Sequence, residues 1–355
     1  MKSDKMKSSV LRVVLVNFLS VLLLFSLPFL DFSTTVSATK KSEIKTEKEE
    51  VLKPTENPKE KEQISSQIEV EETPQKEETK STTETVKETS AEAIKGNIIS
   101  QYSSPYASSN SYDNVYLKNN TNLNISIKKY LEGKIGFSIK KNAEPQVLIL
   151  HTHATETFMR ENINYFTEDF TSRSQDNGKN MVSVGKIVTE ILNSAGIVTL
   201  HDTTQHDNPS YTKSYSRSAE TVKSYLKKYP SIKVVLDLHR DAVTHDNGDK
   251  VKLVTQIDGK NAAQVMLVQG SQSGSVTNFP KWEENFKLAV KLQNIMEKNY
   301  PTLARPLMLM SKNYNQSLTT GSLLLEFGTD ANTLEEVHFS ARLVGNCLVE
   351  LLSGI

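Results

Sequence analysis

From residue 145 onward the sequence sets short apolar runs against stretches of helical periodicity, and this alternation constrains the fold more than any other feature. The runs are VLIL at 147–150, GIVTL at 196–200, IKVVLDL at 232–238, AQVMLV at 263–268 and SLLLEF at 322–327. Several are continuously apolar, as strands covered on both faces are. Between them, residues 181–195 place Met181, Val184, Val188, Leu192 and Ala195 on one helical face. Residues 218–229 repeat the pattern, and 282–299 and 335–352 read as two more helices. The expected fold is therefore α/β, a mostly parallel sheet with helices on both faces, in one catalytic domain over 145–355.

Upstream the chain changes character three times. Lys2, Lys5 and Lys7 precede the run VLRVVLVNFLSVLLLFSLPFLDF, which starts at Val10 and carries one cation at Arg12. A basic flank and roughly 18 apolar residues are enough to cross a bilayer, so residues 1–37 are expected to be a single-pass signal-anchor in the cytoplasmic membrane. Positive charge before the span places the N-terminus inside and the rest of the chain outside. Thr35-Val36-Ser37-Ala38 offers the rival reading, a cleavable signal peptide.

Residues 38–95 are rich in Glu, Lys, Thr and Ser, and all 14 glycines lie at or beyond Gly96. Such sequence buries too little apolar surface to offset its chain entropy, so a disordered charged spacer is expected; an exposed helix held by Glu–Lys pairs is the alternative. Residues 96–144 are intermediate, with stretches such as LNISIKKYL and KIGFSIKK that suit edge strands or a loose attachment.

Lys and Arg total 42, as do Asp and Glu, so no overall field draws this chain to nucleic acid. The one cysteine, Cys347, falls in an apolar helical pattern, which excludes an internal disulfide and any cysteine-rich metal site.

Open parallel sheets gather their chemistry at the carboxyl ends of the strands. VLIL runs into His151-Thr152-His153-Ala154-Thr155-Glu156, GIVTL into His201-Asp202, and VVLDL into His239-Arg240-Asp241; SLLLE ends on Glu326. Four strands ending on ionisable groups, in a chain with seven histidines, point to a site. His153 and Glu156 lie one turn apart, and His239 from another strand completes a His/Glu/His set that leaves a zinc ion one open position. Glu326 is the candidate base or proton shuttle for a water there.

His151, two residues before His153, is either a ligand itself or a group that orients one. Arg240 is a candidate clamp for a substrate carboxylate or a developing oxyanion, against an ordinary ion pair. Asp237 and Asp241 flank His239 as alternative ligands or orienting groups, while His201 and His206 are candidates to line the site. His245 and His338 read as solvated.

Together, LHTHATETF near 150, HDTTQHDNPSYTKSYSRS from 201, DLHRDA from 237 and YNQSLTTGSLLLEFGTDANTLEEV from 314 resemble the stage II sporulation protein P family of N-acetylmuramoyl-L-alanine amidases. The resemblance implies a zinc enzyme that cuts the amide between muramic acid and the stem peptide, with a second ability to cut cross-links. It also implies action at septal and engulfing membranes beside stage II sporulation proteins D and M. In related wall amidases the ligands are His, Glu and His with a late catalytic Glu, which matches His153, His239 and Glu326. The middle ligand departs from that pattern, because the helix after the first strand offers only Glu190, far along it, and Glu156 inherits the role by proximity. The alternatives are a noncatalytic wall-binding scaffold of the same fold and a zinc peptidase of carboxypeptidase type.

Overall fold

The computed structural model describes residues 93–108, 110–142 and 144–355, so the expected anchor, and the spacer up to residue 92, lie outside the described residues. No helix among the described residues is long and apolar enough to cross a membrane.

In chain order the elements are β1 (Ile94–Gln101), β2 (Asn110–Tyr112), β3 (Val115–Asn120), α1 (Ile127–Glu132), β4 (Val147–Leu150) and β5 (Tyr165–Thr167). There follow α2 (Met181–Ser194), β6 (Thr199–His201), α3 (Ser214–Lys228), β7 (Val234–Asp241), β8 (Lys250–Ile257) and β9 (Lys260–Ala263). The last are β10 (Val265–Gly270), α4 (Trp282–Asn299), β11 (Leu307–Met310), β12 (Ser322–Thr329) and α5 (Leu334–Ser353).

The main sheet has eight strands in the order β2-β3-β11-β10-β12-β7-β4-β6. One half of it, β12-β7-β4-β6, is parallel throughout. The sheet as a whole is mixed, because β10 runs antiparallel to β12 and β2 antiparallel to β3. β10 follows at once on a hairpin, β8–β9, whose two turn residues Asp258 and Gly259 both have positive φ, the geometry that matches strand twist.

Alternation along the strands divides the core. Ile149, Leu236, Leu238, Leu323 and Leu325 face one side, where Val184 and Val188 of α2, Phe286 of α4 and Val344 of α5 pack on them. Leu148, Leu150 and Val235 face the other side and meet Val222 of α3. Helices thus cover both faces, and each fully buried leucine contributes about 1.5–3 kcal/mol. Helix α5 starts on a capping box in which the Thr333 hydroxyl accepts from the Glu336 N–H and the Glu336 carboxylate accepts from the Thr333 N–H.

A second sheet, β5-β1-β8-β9, was not legible in the sequence. It takes β1 from the intermediate segment together with Ile94 and Lys95, the last residues of the expected spacer, and pairs it with β8 on one side and with β5 on the other. β5 lies on the long excursion between β4 and α2, so this small sheet braces the loop that leaves the first apolar strand.

Candidate active site

The carboxyl ends of β4, β7 and β12 lie side by side. Leu150 is in register with Asp237, and His239 with Glu326. Because Leu236 and Leu238 point into the main core, Asp237 and His239 point to the α3 face, and so does Glu326, between Leu325 and Phe327. His153 arrives from the turn after β4. That turn is fixed by Asp237, which accepts hydrogen bonds from the Thr152 N–H at 2.8 Å and the Thr152 hydroxyl at 2.6 Å. The His153 and His239 rings stand nearly perpendicular with centroids 5.2 Å apart. Glu156 closes the group: its Oε2 accepts from the Arg240 N–H at 3.1 Å and lies 3.7 Å from His239 Nδ1.

The electrostatics are lopsided. Burial alone would lower the His239 pKa, but the carboxylates of Asp237, Glu156 and Glu326 hold it up to about 10. Burial, and then the charge of His239, push His153 down to about 3. Burial raises Glu326 to about 8, with the Glu156 and Asp241 carboxylates acting in the same direction against His239 and Arg305. A pocket that surrounds one imidazole with carboxylates favours a cation.

Other expected residues fall elsewhere. His151 is fully buried; its Nδ1 meets the Leu238 carbonyl at 3.0 Å and its Nε2 meets His201 Nε2 at 2.9 Å. It continues the face of Ile149 and lies against Gly185 of α2, and because β4 ends at Leu150 the chain turns between His151 and His153. His201 is its partner, and neither lines the pocket. His206 is held by the His151 carbonyl and the Thr221 hydroxyl, each at 2.9 Å, so it braces the turn.

Arg240, read from the sequence as either a clamp or a member of an ordinary ion pair, turns its side chain to backbone carbonyls. Its side chain donates to the carbonyls of Thr157 at 2.7 Å, Ser172 at 2.6 Å and Asp241 at 3.1 Å, and so ties the loop to the strand. Asp241 pairs with Arg305 at 2.8 Å. His245 contacts Gln101 in an exposed position, and His338, expected to be solvated, is half-buried against the Ser183 hydroxyl.

Residues not singled out from the sequence complete the pocket. Tyr211 stacks on His153 with centroids 4.3 Å apart and planes 12° apart, and Tyr215, from the first turn of α3, stands edge-on to the same ring at 5.6 Å. Arg173 lies over the outer face of Tyr211 at 5.0 Å, and its guanidinium pairs with the buried Asp207. The tyrosines and Asp207 belong to the motif after His201, but only the fold brings them over His153. Arg173 stands in a polar loop with no periodicity to mark it.

His153 and His239 stand at a separation that one divalent ion could bridge. His153 Nδ1, His239 Nε2 and Glu326 Oε2 are buried without a hydrogen-bond partner, although His239 Nε2 lies 2.9 Å from Asp237 in poor hydrogen-bond geometry. A separation of 5.2 Å between ring centroids is close to the roughly 5 Å of two imidazoles on one tetrahedral ion. Among the described residues, no three His, Cys, Asp or Glu side chains already form a ready ion cage.

The family model for stage II sporulation protein P matches residues 23–349. The chain belongs to this family. Stage II sporulation protein P of Bacillus subtilis (strain 168) is 32% identical over 216 residues, which are 58% of this chain and 50% of that protein. The chain thus spans about half the length of the curated relative it matches. Among solved structures, the apo form of an N-acetylmuramyl-L-alanine amidase from Mycobacterium abscessus is similar over 59% of this chain and 100% of its own, with 12% identity and a TM-score of 0.35. The CwlD amidase from Clostridioides difficile, solved with the GerS lipoprotein, is similar over 59% of this chain and 100% of its own, with 11% identity and a TM-score of 0.38. Both likenesses are loose, and the chemistry of the site stands on this chain's own residues. Glu190 of α2 is exposed and lies 3.9 Å from Lys186.

Proposed function

We propose that this chain is a zinc-dependent peptidoglycan hydrolase that cuts the amide between N-acetylmuramic acid and the L-alanine of the stem peptide, in wall remodelling during sporulation. One observation carries the reading: His153, His239 and Glu326, distant in sequence, come together toward the carboxyl ends of adjacent strands, with His153 Nδ1 and Glu326 Oε2 buried without a hydrogen-bond partner. His153, Glu156 and His239 are the residues that would hold the ion, which would supply Lewis acidity toward a water and the scissile carbonyl.

Glu326, in register with His239 and with its Oε2 buried, takes the proton from the attacking water and returns it to the departing amine nitrogen. Asp237 fixes the turn that carries His153, and the Arg240 N–H orients Glu156. Tyr211 and Tyr215 wall His153 from solvent, which strengthens electrostatic interactions in the pocket.

Digestion of purified peptidoglycan by the full chain, with products identified by mass, tests this. Free stem peptides with intact glycan are expected, lost on chelation and restored by zinc. Split cross-links alone would make it an endopeptidase, and no products with zinc present would leave a wall-binding scaffold. Glu326→Gln should lower turnover by about 10²–10⁴-fold with unfolding unchanged.

The same reading places the catalytic domain on the outer side of the cytoplasmic membrane, beside stage II sporulation proteins D and M. Protease protection in sporulating cells tests the location: cleavage only after the membrane is lysed would refute it. Co-purification tests the partners, and failure to recover either protein with this chain would remove them.

A further inference from the structure

A cavity of about 640 Å³ opens beside the candidate active site, and the hydrolytic groups do not use it. Its walls come from the excursion between β4 and α2, the same loop that carries His153 and Glu156. Phe166, Phe170 and Ile163 give it an apolar floor, and Arg160 and Lys179 stand among its lining residues. Arg173 forms the wall nearest the catalytic groups, with its guanidinium 3.8 Å from Glu156 Oε1.

Arg173 is built into place. Its backbone bridges that of Glu156, and its guanidinium is anchored on Asp207, whose side chain is fully buried. Asp207 in turn accepts from the Thr155 hydroxyl at 2.6 Å. The Arg173 side chain nevertheless stays 38% exposed, which leaves part of its fork open to a ligand. The loop is rigid on its other side too, where β5 pairs with β1 and Met159 bridges Thr333. Lys179 pairs with Asp176 at 2.7 Å and Arg173 with Asp207, so the cation at the inner wall is already held in place, and a preformed hollow with an apolar floor and an anchored guanidinium suits a peptide that carries a carboxylate.

The geometry points to this cavity, with Arg173 at its inner wall, as the seat of the carboxylate-bearing residues of the stem peptide. The assignment rests on the hydrolase reading for the identity of the peptide. A stem peptide held here lies alongside the proposed scissile amide, so Arg173 selects acidic over amidated stems.

Binding tests it without requiring turnover. Calorimetric titration of the full chain uses a synthetic stem tripeptide with free carboxylates and the same tripeptide with its carboxylates amidated. The free acid should bind more tightly, and Arg173→Gln should weaken it about tenfold or more while leaving the amidated peptide almost unaffected. Arg173→Lys should restore part of the loss, because the charge returns without the fork. Ile163→Glu, which leaves Arg173 and its anchor intact, should also weaken the free acid.

Equal binding of the two peptides, or equal effects of Arg173→Gln on both, would overturn the assignment. If the wall is not cut yet binding depends on carboxylates in this way, the hydrolase reading falls and the seat stands. If the wall is cut and binding ignores carboxylates and Arg173, the seat falls and the hydrolase stands.

Discussion

Gly185 in α2 is the place where one added methyl group should be felt most directly beneath the site. An alanine Cβ there would lie 2.5 Å from His201 Nε2 and 2.6 Å from His151 Nε2, close to an ångström inside ordinary contact. Overpacking of this kind costs about 1–3 kcal/mol, against which alanine returns about 1 kcal/mol of helix propensity. Neither ring retreats freely, since His151 is held on the Leu238 carbonyl and the two histidines are paired. Gly185→Ala should therefore destabilise the full chain by up to about 2 kcal/mol in urea unfolding. Removing His201 gives the His151 ring room to move, so Gly185→Ala combined with His201→Ala should cost at least about 1 kcal/mol less than the sum of the single changes. A Gly185→Ala chain more stable than its parent, or strictly additive costs in the double variant, would refute the claim that the glycine exists to admit the histidine pair.

Stability should also depend on pH through His201. Burial pushes its pKa down to about 4, whereas an unfolded histidine titrates near about 6.5. Between those values the unfolded chain holds the proton and the native chain does not, so this contribution is present above about pH 6.5 and fades as pH falls toward 4, by up to about 1.4 kcal/mol per unit. Denaturant unfolding at pH 7 and pH 5 should show a smaller fall for His201→Gln than for the parent; equal falls would remove His201 as the cause. Thr333→Ala should cost about 1 kcal/mol by opening the capping box of α5, with Thr333→Ser recovering most of it, and an unchanged melting temperature would deny the cap that role.

Much of the architecture could be read from periodicity. The apolar runs at 147–150 and 322–327 became β4 and β12, and residues 282–299 became α4 with the expected bounds. Each of these segments is long or apolar enough for its own pattern to dominate. The strands β8 and β9 escaped notice because Lys250–Ala263 mixes charged and apolar residues, and its pairing depends on a partner strand from residues 94–101.

The sequence by itself determined which residue types stand at the strand ends, because hydrophobic runs must stop where the sheet meets solvent, and His153, Glu156, His239 and Glu326 follow or end such runs. It could not decide which of them face one another. That was settled by sheet order, which sets β7 between β4 and β12 and so puts His239 in register with Glu326. The end of β4 at Leu150 sent His151 inward to α2 and left His153 free to turn toward His239. Arg173, Asp207 and Tyr211 reached His153 only through folded loops, where long-range pairing and burial, rather than any local period, fix the position of a side chain.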